Sequence, residues 1–422
     1  VKLDLGVYTE HVTNVIHDLA FRRAVLDVDR IAQDDRVQSA IIDTAGREMY
    51  RQINPWLRSI AADYRQPMNT VEKVLNHARA GASIVSMGWK ITTAVVQPLG
   101  YLQSIEMIGT KYAGIGLKEF YGRGTPKAMG HARDFVFERS EQMRNRMTTF
   151  DRDVRDQLKG LQDRSTAVRR SFFYLTGAMD MSVSIPTWLG AYRKAMDGSV
   201  EGLTKGDELA AIDFADSMVR KSQSAGGAKD LAGVQASSPI FKLFTTFYSY
   251  FNVMYNMMAR RYGMARAEGI MKHTPELVSS VMLLWFMPAV LSELIAQRGP
   301  EEDEDWGEWF LNDWTNWALY PMQGLIGMRE LVQAMGPYGY DAPPALDAIS
   351  KTGRALKIPL KVVDPDQEVT KADVKAAVEA VSYWGHLPGR QLWITGEYLY
   401  AYMTGEVDEF SVRDALFPRP KD

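Results

Sequence analysis

Three apolar stretches in the second half of the chain carry no charged residue, at residues 243–259, 277–292 and 314–328. They are 17, 16 and 15 residues long. A helix that crosses a bilayer needs about 20 predominantly apolar residues, with a lower limit near ~17. The stretches are therefore at the border between helices buried in a protein core and helices that enter lipid only under some circumstances.

Elsewhere the apolar residues recur at helical spacing. Residues 8–40 show this pattern without an internal glycine or proline, which predicts a helix. Thr125-Pro126 and Thr274-Pro275 each place a capping hydroxyl before a proline suited to the first helical turn. Both pairs therefore predict the start of a helix.

Near the C-terminal end, Thr370 and Asp373 predict a capping box. The helix that follows has an apolar face and stops at Gly385; the face consists of Val374, Ala377, Val378 and Val381. Strand-type alternation is nearly absent along the chain. The sequence therefore predicts an all-α protein, an elongated multi-helix body with a central apolar, aromatic-rich helical region.

Three glycine- or proline-rich interruptions occur in the chain. They are SQSAGGAKDLAG at residues 222–233, GPYGYDAPP at residues 336–344, and VDPDQE at residues 363–368, which introduces a final pair of helices. The first two predict three regions. A polar N-terminal helical region covers residues 1–222, an apolar helical centre with an acidic, tryptophan-rich hinge covers 234–336, and a C-terminal helical region covers 345–422.

The first apolar stretch has two distinct faces at helical spacing. One face is aromatic, and it contains Phe244, Phe247, Tyr248, Phe251 and Tyr255. The other is polar but uncharged, and it contains Thr245, Ser249, Asn252 and Asn256. Such a helix is either buried in a bundle with its polar stripe hydrogen-bonded, or adapted to lipid on one side and to sister helices on the other.

The second stretch, extended from Thr274 to Gln297, would be about 36 Å long as a helix. Pro288 in its interior predicts a kink. Basic residues precede it and the acidic run at residues 301–305 follows it, as in a segment whose orientation in a membrane is fixed by charge. Trp306, Trp309, Trp314 and Trp317 come next, and they fit either a membrane-interface belt or a helix–helix interface. With Trp285, these tryptophans and the aromatic face are the candidate membrane or subunit interface.

Composition adds mainly exclusions. A net charge of −3 gives no general reason for nucleic-acid binding, and the absence of cysteine excludes a disulfide framework and thiolate chemistry. The six histidines are scattered, and no phosphate-binding loop or nucleophile elbow is present. The sequence therefore predicts no enzymatic activity, no cofactor, no metal and no catalytic residue. The first residue is a valine, which predicts that the chain is a piece of a longer polypeptide.

Residues 133–170 carry ten basic residues interleaved with seven acidic ones. This pattern favours solvated helices with ion pairs at three- and four-residue spacing. A surface that follows DNA phosphates would need its arginines on one face without the acids. A non-specific DNA contact stays open as the alternative.

Several short runs resemble a known group of proteins. They are QPLGYLQS at residues 97–104, ERSEQMRNR at 138–146, FDRD at 150–153, DFADSMVRKSQ at 213–223, KDL at 229–231, FKLF at 241–244 and FYSYFN at 247–252. In this order they are similar to the C-terminal helical region of large phage polyvalent and internal virion proteins. The resemblance covers roughly residues 80–260, and none of its motifs is catalytic.

The resemblance implies a structural viral protein of a bacteriophage virion, ejected with the genome, that helps to form a conduit for DNA across the host envelope. It implies a homo-oligomer with other virion, portal or ejection proteins as partners, and a location in the virion interior and then in the periplasm or inner membrane of the host. Contact with the host membrane is a further expectation. The alternatives are a soluble virion core or portal-associated scaffold, and a non-catalytic helical module of a larger phage enzyme.

Overall fold

The structure is a computed structural model that describes residues 5–61, 70–149, 154, 164–225, 248–295, 299–300, 305–312, 314–324, 344–363 and 367–417. Every regular element in these ranges is helical. The predicted all-α, multi-helix architecture is confirmed. Contacts divide the chain into two compact units, residues 1–73 with 227–242, and residues 74–226 with 243–422. The division into three regions at residues 222–233 and 336–344 is a different one, and it stays a prediction.

The first unit contains the helices α1 (Leu5–Ala32), α2 (Asp35–Ala45) and α3 (Arg47–Ala61). The predicted single helix over residues 8–40 is wrong, because a new helix begins after Asp34. The Asp34 carboxylate accepts the Arg36 backbone N–H at 3.0 Å and so caps α2. The Tyr50 hydroxyl donates to Ala32 O at 3.1 Å, which ties α3 back to the end of α1.

The second unit begins within α4 (Thr70–Met87). Its other described α-helices are α5 (Ile91–Val96), α6 (Tyr101–Ile108), α7 (Thr110–Tyr121), α8 (Pro126–Arg139), α9 (Glu141–Asn145), α10 (Arg164–Met196), α11 (Glu208–Ser222), α12 (Tyr248–Glu268), α13 (Thr274–Val281), α14 (Met287–Ile295), α15 (Trp306–Asn312), α16 (Trp314–Leu319), α17 (Pro344–Leu356), α18 (Ile358–Val363), α19 (Lys371–Gly385), α20 (Gly389–Met403) and α21 (Val412–Leu416). Thr125 caps α8 as predicted, because its hydroxyl accepts the Ala128 N–H at 3.3 Å.

Helix α10 is the centre of the packing in this unit, and it contacts α5, α6, α7, α8 and α11. Its closest neighbour is α7. A Cβ atom at Gly116 would overlap the Pro186 carbonyl, and one at Gly190 would overlap the Tyr112 carbonyl. The two glycines therefore allow the helices to approach more closely than other residues would. The fully buried Trp188 of α10 lies in the largest apolar cluster.

A buried ion pair joins α10 to the 3-10 turn Arg146–Thr148. The Arg146 guanidinium donates from Nε to Asp180 Oδ2 at 2.8 Å and from Nη2 to Asp180 Oδ1 at 2.9 Å, and both side chains are at most 5% exposed. Ser184 and the carbonyl of Ser224 accept the remaining bonds at 2.7 Å and 3.0 Å. Removing one member of such a pair costs about 3–5 kcal/mol, because the other charge is left buried.

Three of the short runs named in the sequence analysis, 97–104, 138–146 and 213–223, meet near the Arg146–Asp180 ion pair. In the run 138–146, the Ser140 hydroxyl donates to Asp216 Oδ1 of the run 213–223 at 2.6 Å. Gln223 donates from Nε2 to Gly100 O and to Ser104 Oγ of the run 97–104, both at 2.8 Å. Burial raises the pKa of Asp216, and the bonds from Ser140 and Trp188 partly oppose that rise. We call this set of contacts the polar junction, and its role is to join helices.

In the C-terminal helices, the structure confirms the capping box of Thr370 and Asp373 and the end of α19 at Gly385. The face of α19 that packs against the rest of the unit is not the valine face. Val374, Val378 and Val381 are all exposed, whereas Asp373 and Glu379 are buried. The physical reason is ion pairing. Lys361 and Arg354, each 2.8 Å from an Asp373 oxygen, hold the pKa of that carboxyl well below its usual range.

Two histidines that are 309 residues apart meet where α19 ends against α4. The rings of His77 and His386 have centroids 4.3 Å apart, and His77 Nε2 lies 3.0 Å from Trp384 O. His386 caps α19 in the left-handed conformation, with φ of 56°. Burial lowers the pKa of His386, and the nearby His77 and Arg169 lower it further.

We predict that stability falls on acidification because of this pair. The pKa of His386 is lower in the folded chain than in the unfolded chain, so the unfolded state binds more protons as the pH falls below about 6.5. His386→Asn removes the titrating ring, and asparagine tolerates the left-handed conformation. Melting temperatures from pH 8 to pH 5 should fall less for this variant than for the wild type. The exposed His131→Asn is the control and should follow the wild type; equal slopes for all three proteins would contradict the prediction.

Candidate functional site

The second apolar stretch forms one continuous helix, Ile270–Ile295, which we call the apolar helix. It begins as the 3-10 turn Ile270–His273 and continues through α13, the π turn Met282–Phe286 and α14. Gly269, with φ of 108°, separates it from α12. The α-helical part begins at Thr274 with Pro275 in its first turn, as predicted. The predicted cap is wrong, because the Thr274 hydroxyl donates to Ile270 O at 3.1 Å and accepts no backbone N–H among the described residues.

Among the described residues, this is the one helix that is long and apolar enough to cross a bilayer. It has 26 residues, its most apolar window has a mean hydropathy of 1.8, and 28% of that window is buried. The described part of the first apolar stretch, from Tyr248 onward, instead forms the start of α12, which continues through charged residues to Glu268. The described part of the third stretch is divided between α16 and the 3-10 turn Tyr320–Gly324.

The π turn comes directly before Pro288. The Met287 N–H bonds to Met282 O, five residues back, and not to the carbonyl four residues back. A proline cannot donate the hydrogen bond that an α-helix needs at its position, and its ring crowds the preceding turn. Local π geometry is a common way to fit such an interruption into a continuous helix. The π turn is therefore the irregularity that the structure shows at the place where the sequence predicts a kink.

The apolar helix presents one side to the protein and another to solvent. Leu284, Trp285 and Ala289 are buried. Val278 and Val281 are 56% and 42% exposed. No charged residue falls between Glu276 and Glu293. An exposed apolar strip thus runs along the uncharged middle of this helix.

Aromatic side chains cover the buried side. The Tyr255 and Trp285 rings have centroids 4.9 Å apart, which pairs α12 with the π turn. Trp317 packs against Phe310 at 4.4 Å, Trp309 at 5.2 Å and Phe286 at 5.8 Å. Trp317 Nε1 is buried without a hydrogen-bond acceptor among the described residues. An unpaired buried donor of this kind costs about 1–3 kcal/mol, so this packing is not optimal for the indole.

The structure separates the candidate interface residues into groups. Trp285, Trp309 and Trp317 are buried, and Trp306 and Trp314 are 62% and 56% exposed. Phe251 and Tyr255 are half-buried. Phe244 and Phe247 lie outside the described residues, and so does the side chain of Tyr248.

The predicted polar stripe does not keep to one environment. Ser249 is buried, Asn252 is half-buried and Asn256 is exposed, while Thr245 lies outside the described residues. The core positions of α12 are Met254 and Met257, which the sequence analysis did not select. Their spacing of three residues places them on one face of the helix, and this was the sequence signal that could have identified them.

A buried carboxylate that the sequence analysis also missed joins the apolar helix to the core. The Arg261 guanidinium of α12 donates two hydrogen bonds to Oε1 of Glu106 in α6. Nη2 lies 2.6 Å and Nε 2.9 Å from that oxygen. The hydroxyl of Ser280, in the middle of the apolar helix, lies 2.7 Å from the same oxygen and 2.8 Å from Glu276 O. The Glu106 side chain is 7% exposed. We call these three side chains the Glu106 contact.

Comparisons with known proteins found no matching family model, no matching curated protein and no matching solved structure. Within the described ranges, no group of three or more metal-ligating side chains is close enough to hold an ion. The site is therefore defined by its own geometry. It consists of a supporting helix, α12, an apolar helix with an exposed strip, and one buried polar contact that joins both helices to the core.

We predict that the Glu106 contact holds the apolar helix in place. Glu106→Gln keeps the shape of the side chain but removes the charge that Arg261 and Ser280 share. Hydrogen bonds to a charged group contribute about 1.5–3 kcal/mol. Loss of this free energy increases the equilibrium constant for local opening of the helix about tenfold or more. Hydrogen exchange of the amides in residues 277–292 should accelerate by at least that factor.

Glu119→Gln is the matched control, because Glu119 pairs with Arg193 at 2.7 Å in a more exposed position. It should leave exchange in residues 277–292 unchanged. Unchanged exchange in Glu106→Gln as well would show that apolar packing alone holds the helix.

Proposed function

We propose that this chain is a structural, non-enzymatic component of a phage DNA-ejection apparatus, and that it helps to form a conduit for the genome across the host envelope. In this proposal the apolar helix is the segment that meets the membrane. The chain works as a homo-oligomer with other virion, portal or ejection proteins. It resides in the virion interior and then in the host periplasm or inner membrane.

The observation that carries the proposal is the exposed strip of the apolar helix. Val278 and Val281 stand in solvent on a helix that has the length and hydropathy of a membrane span. Exposed apolar area is unfavourable in water by about 25 cal/mol per Å² relative to an apolar environment. A bilayer or a sister subunit would cover that area.

The tryptophans support the same assignment. Trp306 and Trp314 are exposed and follow the C-terminal end of the apolar helix. Exposed tryptophans beside an apolar segment are typical of the membrane–water interface, where the ring is partly dry and its N–H stays hydrated. The buried Trp309 and Trp317 cannot have this role while they pack against each other.

The resemblance of residues 80–260 to phage internal virion proteins supplies the biological context of the proposal. The polar junction supports a structural role for that region, because its polar side chains form hydrogen bonds that join one helix to another. DNA contact is the weakest part of the proposal. Arg133, Arg139 and Arg144 pair with the acids Asp134, Glu208 and Glu141, and such pairing leaves less positive charge for phosphates.

Flotation with liposomes tests the membrane part of the proposal. The wild type should rise with vesicles through a density gradient. Val281→Asp places a carboxylate near the centre of the apolar helix, at a position where water solvates it in the folded protein. The same carboxylate costs about 2.5–3.5 kcal/mol at the centre of a membrane span, so flotation should fall by about 50-fold or more.

Leu117→Asp is the control, because Leu117 is 38% exposed on α7 and Val281 is 42% exposed. It should float as the wild type does. A wild type that stays at the bottom of the gradient would favour the soluble scaffold instead. Equal flotation of Val281→Asp and the wild type would contradict the assignment to this helix.

A further inference from the structure

A cavity of about 330 Å³ lies beside α12. Residues of α6, the end of α10, the turn at residues 199–201, α11 and α12 line it. Its volume is at the lower end of the ~300–1,000 Å³ range of small-molecule sites in proteins. All of these elements belong to the second compact unit.

The walls of the cavity are apolar and deformable. Four methionines, Met107, Met218, Met257 and Met264, line it together with Phe214. Methionine side chains are unbranched and polarisable, so they adapt to chains of irregular shape. The walls therefore suit an alkyl chain better than a rigid polar ligand.

The rim of the cavity is basic. Lys194, Arg260 and Arg261 line it, and Glu106 and Glu201 are the acids there. Arg261 is already paired with Glu106 at 2.6 Å. Arg260 has no ion pair in the described part of the chain, and Lys194 donates to the carbonyl of Ile108 at 3.1 Å. Among the described residues, neither Lys194 nor Arg260 thus has a carboxylate partner at ion-pair distance.

Further positive charge lies close by on α11. Burial lowers the pKa of Lys221, and the neighbouring Arg260 and Arg220 lower it further. Burial also lowers the pKa of Lys194. Arg260, which lines the cavity, is thus close enough to Lys221 to repel it, and an anion near Arg260 would relieve this repulsion.

We propose that this cavity binds an anionic amphiphile, with the acyl chain among the methionines and a phosphate or carboxylate head group at Lys194 and Arg260. A lipid and a free fatty acid share this chemistry. DNA is also negatively charged, but it has no alkyl chain that could pack against the methionine-lined wall. The proposal goes beyond the proposed function, because it requires one bound molecule and no bilayer.

Binding of monomeric lysophosphatidylglycerol, measured by native mass spectrometry below its micelle concentration, tests the proposal. One molecule should bind per chain. Lysophosphatidylcholine with the same acyl chain should bind at least tenfold more weakly, because its head group has no net charge. Oleate distinguishes the sources: tighter binding of oleate would identify a fatty-acid site, and tighter binding of the phosphate-containing lipid a phospholipid site.

Arg260→Gln should weaken binding at least tenfold. Arg260 is exposed and has no ion pair in the described residues, so the variant should fold normally. Arg266→Gln is the matched control on the same helix, outside the cavity, and should bind as the wild type does. Val281→Asp should also bind normally, which separates this site from the membrane role of the apolar helix.

Three results would overturn the proposal. The first is equal affinity for the two lysolipids, and the second is unchanged binding in Arg260→Gln. The third is competition by inorganic phosphate or by a DNA oligonucleotide at concentrations equal to the lysolipid, since neither has an acyl chain. Loss of flotation with intact lysolipid binding would contradict the proposed function alone.

Discussion

The buried carboxylate of Glu106 is the contact on which the position of the apolar helix depends, because it joins that helix to the core of the second unit. Apolar packing alone is non-directional and would let the apolar helix slide or rotate. The bonds from Arg261 and Ser280 to one oxygen fix the position of α12 and the apolar helix together. In the function that we propose, this contact holds the helix while its apolar strip faces water, and the helix is released when a bilayer covers that strip.

The core that holds Glu106 is organised by polar contacts as much as by apolar ones. Arg146 and Asp180 cross between helices, and Ser140, Asp216, Gln223 and Ser104 form further bonds around α10. Half-satisfied networks of this kind are costly, whereas complete ones specify a single arrangement. Three of the runs named in the sequence analysis, 97–104, 138–146 and 213–223, lie at these contacts. Their polar side chains join helices to one another.

The sequence predicted what depends on near neighbours in the chain. The helical class, the caps at Thr125 and Thr370, and the apolar helix all follow from spacing within a few residues. Contacts between residues that are distant in the chain could not be predicted from the sequence. Glu106 and Ser280, which position the apolar helix, are 174 residues apart, and His77 and His386 are 309 residues apart. The valine face of α19 shows the same limit. The local pattern identifies it as the apolar face of the helix, but the pairing of Asp373 with Lys361 and Arg354 turns the acidic face inward.

In the function that we propose, the middle of the apolar helix moves from the protein surface into lipid. The chain contains no cysteine, so Met282→Cys accepts a single polarity-sensitive fluorophore at a position that is 40% exposed. We expect that anionic vesicles shift the emission of this fluorophore to the blue and that quenchers attached near the bilayer centre suppress it. An emission spectrum that vesicles leave unchanged, together with quenching by aqueous iodide, would contradict the proposed membrane role of this helix.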